Sequence, residues 1–518
     1  MKGKIINYFK QIDRRILLIF IVLFGLTLRL IFFSGYVMCD DKYYLMHAYL
    51  LSIGKFEPLD FNFGLRIGLL APTAFFFNLF GINEFSLVLF PLLCSIGGII
   101  LIYYFGRLFF DEKVGLAGAF LLSFFPLDVI FATHLYPDIP LTFFISLCIF
   151  SFLKGESNEK KWYYLLSGIF IGIAYLIKIS TFTIIFFFVF YMLYKKRIKI
   201  NYLFIPLGFL LILCLESSLY YFCEGDFLYR YHSLNHWGKI QFIYPIHRGS
   251  NWIIEPFLML TIQQEFGFFY YFILPIIAYF LIKRNNKVNI LLLWTIPIFL
   301  YIEYGSTTIS RYLVLERVPR HLSIITLPSL LILAYFLVRK LNKKFLYSFL
   351  IFLLLTSIGC CWVDNSRIKD YLSRQIYTFH KNNPDKDLII SSRDYIALLF
   401  YSKMQINPNL KIFYPFKLYP DGYKSGYKVR VVKLIYPNVQ VLSNLYQIHN
   451  AHIAMHEKYF KKYSSLIPSS AKLIKTIRKP KRFYYSILQK GIFKKIFNKL
   501  MGKRKYPFEE SVQIYYIP

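Results

Sequence analysis

Residues 16 to 362 are filled by about eleven apolar runs, most of them long enough to cross a bilayer as a helix. Such runs can be stable only where lipid covers them, because a helix satisfies its own backbone hydrogen bonds in a medium without water. With 57% hydrophobic and 20% aromatic residues, the 518-residue chain could not stay dissolved with those runs exposed. The pattern predicts an α-helical polytopic membrane protein, with spans near 16–36, 86–107, 114–130, 139–153, 162–178, 180–194, 201–222, 265–282, 288–304, 321–338 and 345–362.

The first run follows the basic stretch MKGKIINYFKQIDRR, and no small-residue cleavage site succeeds it. It reads as a retained helix with a cytoplasmic N-terminus. Alternate short loops then carry the cations expected on that side: Arg107 and Lys113; Lys154, Lys160 and Lys161; Lys195, Lys196, Arg197 and Lys199; Lys283, Arg284 and Lys287; Arg339, Lys340, Lys343 and Lys344. An odd number of spans puts residues 363–518 outside the membrane as an extracytoplasmic domain. The bias toward Lys, Ile, Phe, Tyr and Asn suggests an AT-rich prokaryotic genome, and hence the plasma membrane.

A net charge of +33 raises the question of nucleic acid, yet the cations are spread over short loops and the tail and do not gather on one face. Anionic membrane lipid is the expected partner, and nucleic acid is not. The seven cysteines have no metal-finger spacing; Cys39 and Cys223 fall on the same expected side and could pair. The tail changes character, with β-rich runs at 387–391, 410–414, 428–436 and 512–517 between turn-forming residues, which predicts a small mixed α/β domain. Its basic segment 473–505 includes an amphipathic stretch, with Ile492, Phe493, Ile496, Phe497 and Leu500 on one helical face, suited either to the membrane surface or to packing on its own domain.

Ionisable residues gather in the outer loops, at 37–85, 131–138, 223–264 and 305–320, and such clustering at the ends of membrane helices points to a site. A carboxylate beside a hydroxyl can act as general base, and a nearby Arg can hold a phosphate as it leaves. From spacing alone, loops merely solvated by these charges are an equal alternative.

The stretch CDDKYYLMHAYLLSIGKF resembles the first outer loop of the GT-C membrane glycosyltransferases, in the protein-mannosyltransferase and aminoarabinose-transferase group (families 39 and 83). The resemblance continues through FGINEFS and HLYPDIPLTFF, and RVPRHLSIITLPSLLILAY is similar to the penultimate helix of that family. It covers about the first 160 residues well and the rest in outline. It implies the GT-C fold and an inverting transfer of sugar from a polyprenyl-monophosphate donor to a hydroxyl of a protein, lipid or glycan acceptor. Asp40 matches the first acid of the family's pair, as catalytic base or acceptor-orienting carboxylate; Asp41 stands where many members have Glu; Asp138 matches the second acid. Arg66, without the usual neighbouring Pro, and Arg320 match the phosphate contacts. Tyr43, Tyr44, His134 and His321 are candidate contacts to acceptor or donor, and a divalent cation at Asp40 and Asp138 is left open.

Two enzyme or carrier readings compete. A lipid or sugar transporter would place its acids at mid-membrane, within internal repeats that this chain lacks. An O-antigen ligase or polymerase acting on lipid-linked oligosaccharide more often puts its large outer domain between spans. A structural scaffold would need no acid at position 40.

Overall fold

The computed structural model describes residues 14–58, 62–235, 252–306, 312, 315–365, 370–405, 407–414, 429, 432–446, 448–457, 463–478 and 511–518. Every one of the eleven apolar runs is helical. Among the described residues six helices are long and apolar enough to cross a membrane: Glu84–Phe109, Asp138–Asn158, Ile200–Glu224, Asn286–Tyr304, Pro319–Lys340 and Lys343–Asp364. The others are shorter. The run expected at 114–130 is divided into Glu112–Ser123 and Pro126–Phe131, because Pro126 has no N–H to continue a helix and instead starts the next one. The first loop is also more structured than its composition indicates, for it contains helices Asp41–Ser52 and Ile67–Phe80.

The chain divides into two compact units. The first comprises residues 1–35, 55–75 and 88–365; the second comprises 36–54, 76–87 and 366–518. A cut near residue 362 therefore describes only part of the division, because the turn bearing Asp40 and Asp41 folds with the C-terminal segment.

Burial orders the helices of the first unit. The apolar windows of Pro319–Lys340 and Asp138–Asn158 are 78% and 72% buried within the protein, whereas those of Ile200–Glu224 and Lys343–Asp364 are only 11% and 17% buried and leave their side chains to lipid. Close packing uses small residues: a Cβ at Gly168 would collide with the Ile205 carbonyl, and one at Gly208 with the Leu165 carbonyl. The two helices consequently approach backbone to backbone, as membrane helices do when van der Waals contact replaces the hydrophobic drive.

Charge inside this unit is paired. Arg29 of the first helix is fully buried and bonds Asp128, while its Nε donates to Ser95 Oγ at 2.6 Å and its Nη1 to the Gly25 and Ser123 carbonyls at 2.8 and 2.9 Å. One guanidinium thus ties together the helices that carry residues 29, 95 and 128. At the far end of Asp138–Asn158, Glu156 accepts from the hydroxyls of Tyr164, Tyr202 and Tyr191 at 2.7, 3.1 and 3.3 Å.

The second unit contains a six-stranded sheet in the order β3-β2-β1-β4-β6-β5. The strands are β1 Asp387–Ser391, β2 Leu410–Phe413, β3 Val441–Leu442, β4 Ala451–His456, β5 Lys472–Arg478 and β6 Ser511–Ile517. The first four are parallel, and β6 joins β4 and β5 antiparallel. Strands expected at 387–391, 410–414 and 512–517 are present. The one expected at 428–436 is not: residues 432–435 are helical, and Val432, Ile435 and Tyr436 are buried at helical spacing. Of the basic segment 473–505, residues 473–478 lie in β5, and the proposed amphipathic stretch falls outside the described residues. All seven cysteines are free, so Cys39 and Cys223 are not joined.

Replacing Arg29 by Met would strand Asp128 as a buried charge, at a cost of about 3–5 kcal/mol. The expected result is a clearly lowered unfolding temperature of the detergent-purified protein, largely recovered by the Arg29→Met, Asp128→Leu pair. An unchanged midpoint in the single variant would show that the clasp is dispensable.

Candidate functional site

In the first unit a carboxylate gathers cations at the ends of helices. Asp138 opens its helix directly after Pro137, where an acid in the first turn suits the helix dipole. Its Oδ1 receives Lys178 Nζ at 2.6 Å, and its Oδ2 lies 3.3 Å from Arg320 Nε. Lys178 sits at the break between helix Lys161–Ile177 and the 3-10 turn Ile179–Thr183, and Arg320 sits in the turn Pro319–Ile325. The Arg320 guanidinium lies 4.5 Å from the Tyr136 ring centroid, which fixes its plane. Arg66, immediately before helix Ile67–Phe80, is buried, stacks over Phe63 at 5.5 Å and is close enough to Lys178 to repel it.

Local hydrogen bonds hold this group in place. The Asp138 carbonyl accepts from the Thr142 hydroxyl at 2.9 Å and the Ser323 hydroxyl at 3.2 Å, and His321 Nδ1 donates to the Glu316 carbonyl at 3.0 Å. His321 also stands within electrostatic range of Asp138. Lys178 and Arg320 contact the Asp138 carboxylate, and Arg66 stands near Lys178. Both oxygens of Asp138 face a cation, which suits it to orient cations better than to take a proton. Guanidinium and ammonium groups so placed are donors suited to an anion.

In the second unit the acid pair is split by burial. Asp41 is completely buried and accepts backbone N–H bonds from Val37 at 2.6 Å, Met38 at 3.1 Å and Cys39 at 2.5 Å. Burial pushes its pKa upward, while those three amides and Lys42 pull the other way. Asp41 is thus the internal ligand of its own turn, and Lys42 closes the turn by donating to the Cys39 carbonyl at 2.7 Å. Asp40 is half-buried and stands at the N-cap of helix Asp41–Ser52 without making a side-chain capping bond. Only Asp40 of the pair keeps its carboxylate clear of the helix it begins.

The remaining expected residues separate by environment. Tyr43 and Tyr44 are buried in helix Asp41–Ser52, with the Lys42 ammonium 4.7 Å from the Tyr43 ring. His134 is buried edge-on between Phe131 and Tyr136, at 5.4 and 5.5 Å. Of the outer charges, Arg230 pairs with Glu216 and stacks on Tyr175 at 4.1 Å, Asp226 meets His232 at 2.7 Å, and Arg317 bonds Glu255 and Glu303 at 2.7 and 2.8 Å. These are ion pairs that do not include Asp138, and Asp60, His236, His247 and Arg311 lie outside the described residues. Asp40 and Asp138 belong to different units.

Sequence reading missed Lys178, the nearest cation to Asp138. Its signal is a lone lysine in YLIKIST, between two apolar runs, and an ionisable residue in that setting is a functional candidate by cost alone. Asp370, Ser373, Asp394 and His456 of the second unit were also missed, because nothing local marks them.

Comparison with known proteins agrees with this architecture. Residues 70–221 match the family profile of dolichyl-phosphate-mannose-protein mannosyltransferases. No curated protein sequence matches the chain significantly. Among solved structures, ArnT of Cupriavidus metallidurans in complex with undecaprenyl phosphate superposes with a TM-score of 0.60 at 12% identity, covering 96% of this chain and 97% of that one. Its apo form gives 0.59 at 13% identity, over 88% and 95%. The apo oligosaccharyltransferase of Archaeoglobus fulgidus gives 0.52 at 14% identity, over 89% of this chain and 71% of that one. The chain is a polytopic membrane protein of the GT-C glycosyltransferase fold, related over residues 70–221 to the protein mannosyltransferases.

Proposed function

We propose that the protein is an inverting glycosyltransferase that moves a sugar from a polyprenyl-monophosphate donor to an acceptor hydroxyl at the outer face of the plasma membrane. The observation that carries this reading is the group of Arg66, Lys178 and Arg320 about Asp138 in a GT-C fold. The undecaprenyl phosphate of the ArnT complex supports the choice of donor.

The chemistry follows from charge. A sugar-linked polyprenyl phosphate is a phosphodiester with one negative charge. When the bond from the anomeric carbon to the phosphate oxygen breaks, the phosphate leaves as a monoester with a second charge. Cations placed around it gain more from that product than from the donor, and such differential binding lowers the barrier. Asp40 takes the proton of the acceptor hydroxyl as its oxygen attacks the opposite face of the anomeric carbon, which inverts the configuration. Asp138 acts as counter-ion, holding Lys178 and Arg320 in place before the phosphate arrives. Arg66 and Arg320 supply planar donors and Lys178 a compact charge.

A divalent cation at Asp138 would have to displace Lys178 or Arg320 from its carboxylate. Its carboxylate already meets two cations, and among the described residues no group of three or more His, Cys, Asp or Glu side chains stands in metal-holding geometry. No step of the proposed reaction passes through a metal.

Transfer of radiolabelled sugar from purified polyprenyl-phosphate sugars, in liposomes and across protein, lipid and glycan acceptors, tests the reading. Asp40→Asn protein of normal abundance is expected to lose about 100-fold or more in turnover; wild-type turnover in that variant would remove the proposed base. Arg66→Ala and Lys178→Met are each expected to raise the donor KM about tenfold or more while the proteins stay folded. Unchanged KM in both would dismiss the phosphate site, and lipid movement between leaflets without sugar transfer would favour a transporter.

A further inference from the structure

The turn that carries Asp40 is not held by its own backbone alone. Met38 has φ of 64°, a left-handed conformation that a side-chain-bearing residue keeps only when its surroundings impose it. The three amides that converge on Asp41 impose part of it. The rest comes from the C-terminal segment of the same unit. Ser373 Oγ lies 3.0 Å from Met38 Sδ and 3.0 Å from Asp394 Oδ1, and the buried Tyr36 ring packs on Phe400 at 4.8 Å and meets Tyr401 edge-on at 6.2 Å.

Asp394 in turn occupies the point where the parallel sheet changes direction. From β1 the chain passes to β2 and β3 on one side, whereas β4 lies on the other, and the carboxyl ends of β1 and β4 flank Asp394. Ser391, the last residue of β1, donates to Asp394 Oδ2 at 2.6 Å, and His456, the last of β4, places Nε2 3.4 Å from Oδ1. In open α/β sheets this is where ligands bind. Here the 36–41 turn reaches the same network through Met38 and Ser373.

We propose that Ser373 and Asp370, at the head of helix Tyr371–Lys381, are positioning residues for sugar transfer: with Asp394 and Tyr36 they hold the 36–41 turn and so set where the Asp40 carboxylate stands. This rests on the reading of Asp40 as base. Asp370 is 4% exposed, and neither of its carboxylate oxygens meets a partner at hydrogen-bond geometry; the buried Tyr36 hydroxyl likewise meets none. The groups that face this centre are Asp41 and Tyr36 from the turn, Ser373 and Arg374 from its own helix, Asp394 and Arg393 from helix Ser392–Tyr401, and His456 of β4 beyond Asp394. Three carboxylates therefore meet in one buried place. Asp41 is satisfied by amides and Asp394 by Ser391, Ser373 and His456, so Asp370 is the one left to carry a proton.

Burial pushes the Asp370 pKa up to about 8; Ser373 and Arg374 oppose the shift, and Asp41 and Asp394 add to it. With the turn released, Asp370 is solvated and titrates near the ordinary carboxyl value of about 4. Between those values the docked turn binds one more proton than the released turn. Docking is accordingly tightest at acid pH, weakens as pH rises through about 4 to 8, and levels off above that window.

The test uses the full-length protein in liposomes with polyprenyl-phosphate sugar. Ser373→Ala is expected to lower kcat about tenfold with donor KM within about twofold, because misplacing a reacting group acts on turnover more than on binding. Ser373→Thr should restore most of it. Asp370→Asn, neutral at every pH, should remove the decline of kcat toward alkaline pH. Independently of activity, hydrogen exchange at Val37, Met38 and Cys39, corrected for intrinsic rates, should quicken about tenfold or more in Ser373→Ala. Wild-type kcat, pH profile and protection in both variants would overturn the proposal. If Asp40→Asn transfers sugar normally, the reading of Asp40 falls, and the exchange measurement alone decides whether the turn is anchored.

Discussion

The double ion pair of Asp138 is the contact that gathers the candidate site of the membrane unit. Lys178 and Arg320 come from segments far apart in sequence and meet one buried carboxylate at the start of a helix. Cations brought this close repel one another unless a negative charge stands among them, and Asp138 supplies it. Arg66 stands close enough to Lys178 to add to the positive field of this group. A group of this kind packs segments together that lie far apart in sequence.

Two other buried pairs of the membrane unit, Arg29 with Asp128 and Arg230 with Glu216, are clothed with hydrogen bonds or an aromatic face. Those pairs fasten helices and leave no charge over.

The acid pair shows the same division of labour within two adjacent residues. Asp41 spends its carboxylate on three amides of its own turn, whereas Asp40 makes no side-chain capping bond to the helix it begins. Because the turn folds with the C-terminal segment, the small sheet is more than an appendage: its helices and strand ends supply Ser373, Asp394 and the aromatic bed of Tyr36. Asp40, Asp41, Asp138, Arg66 and Arg320 were all legible in the sequence as site candidates. Their separate tasks were not, since spacing along the chain does not say which of two neighbouring acids points inward.

The sequence by itself determined the class of protein. Hydrophobic length places helices in the membrane whatever their partners, cation-rich loops favour one orientation, and the order of motifs through residue 160 points to the GT-C fold. Strands with clear alternation or flanking turns, β1, β2 and β6, were equally plain. Tertiary structure alone decided that Lys178 joins Asp138, that 432–435 coils as a helix and that β4, AHIAMH, is a central strand. The physical reason is common to all three. Apolar length and charge counts are local properties of the chain, but the partner of a buried charge and the neighbour of a short strand are supplied by residues tens to hundreds of positions away.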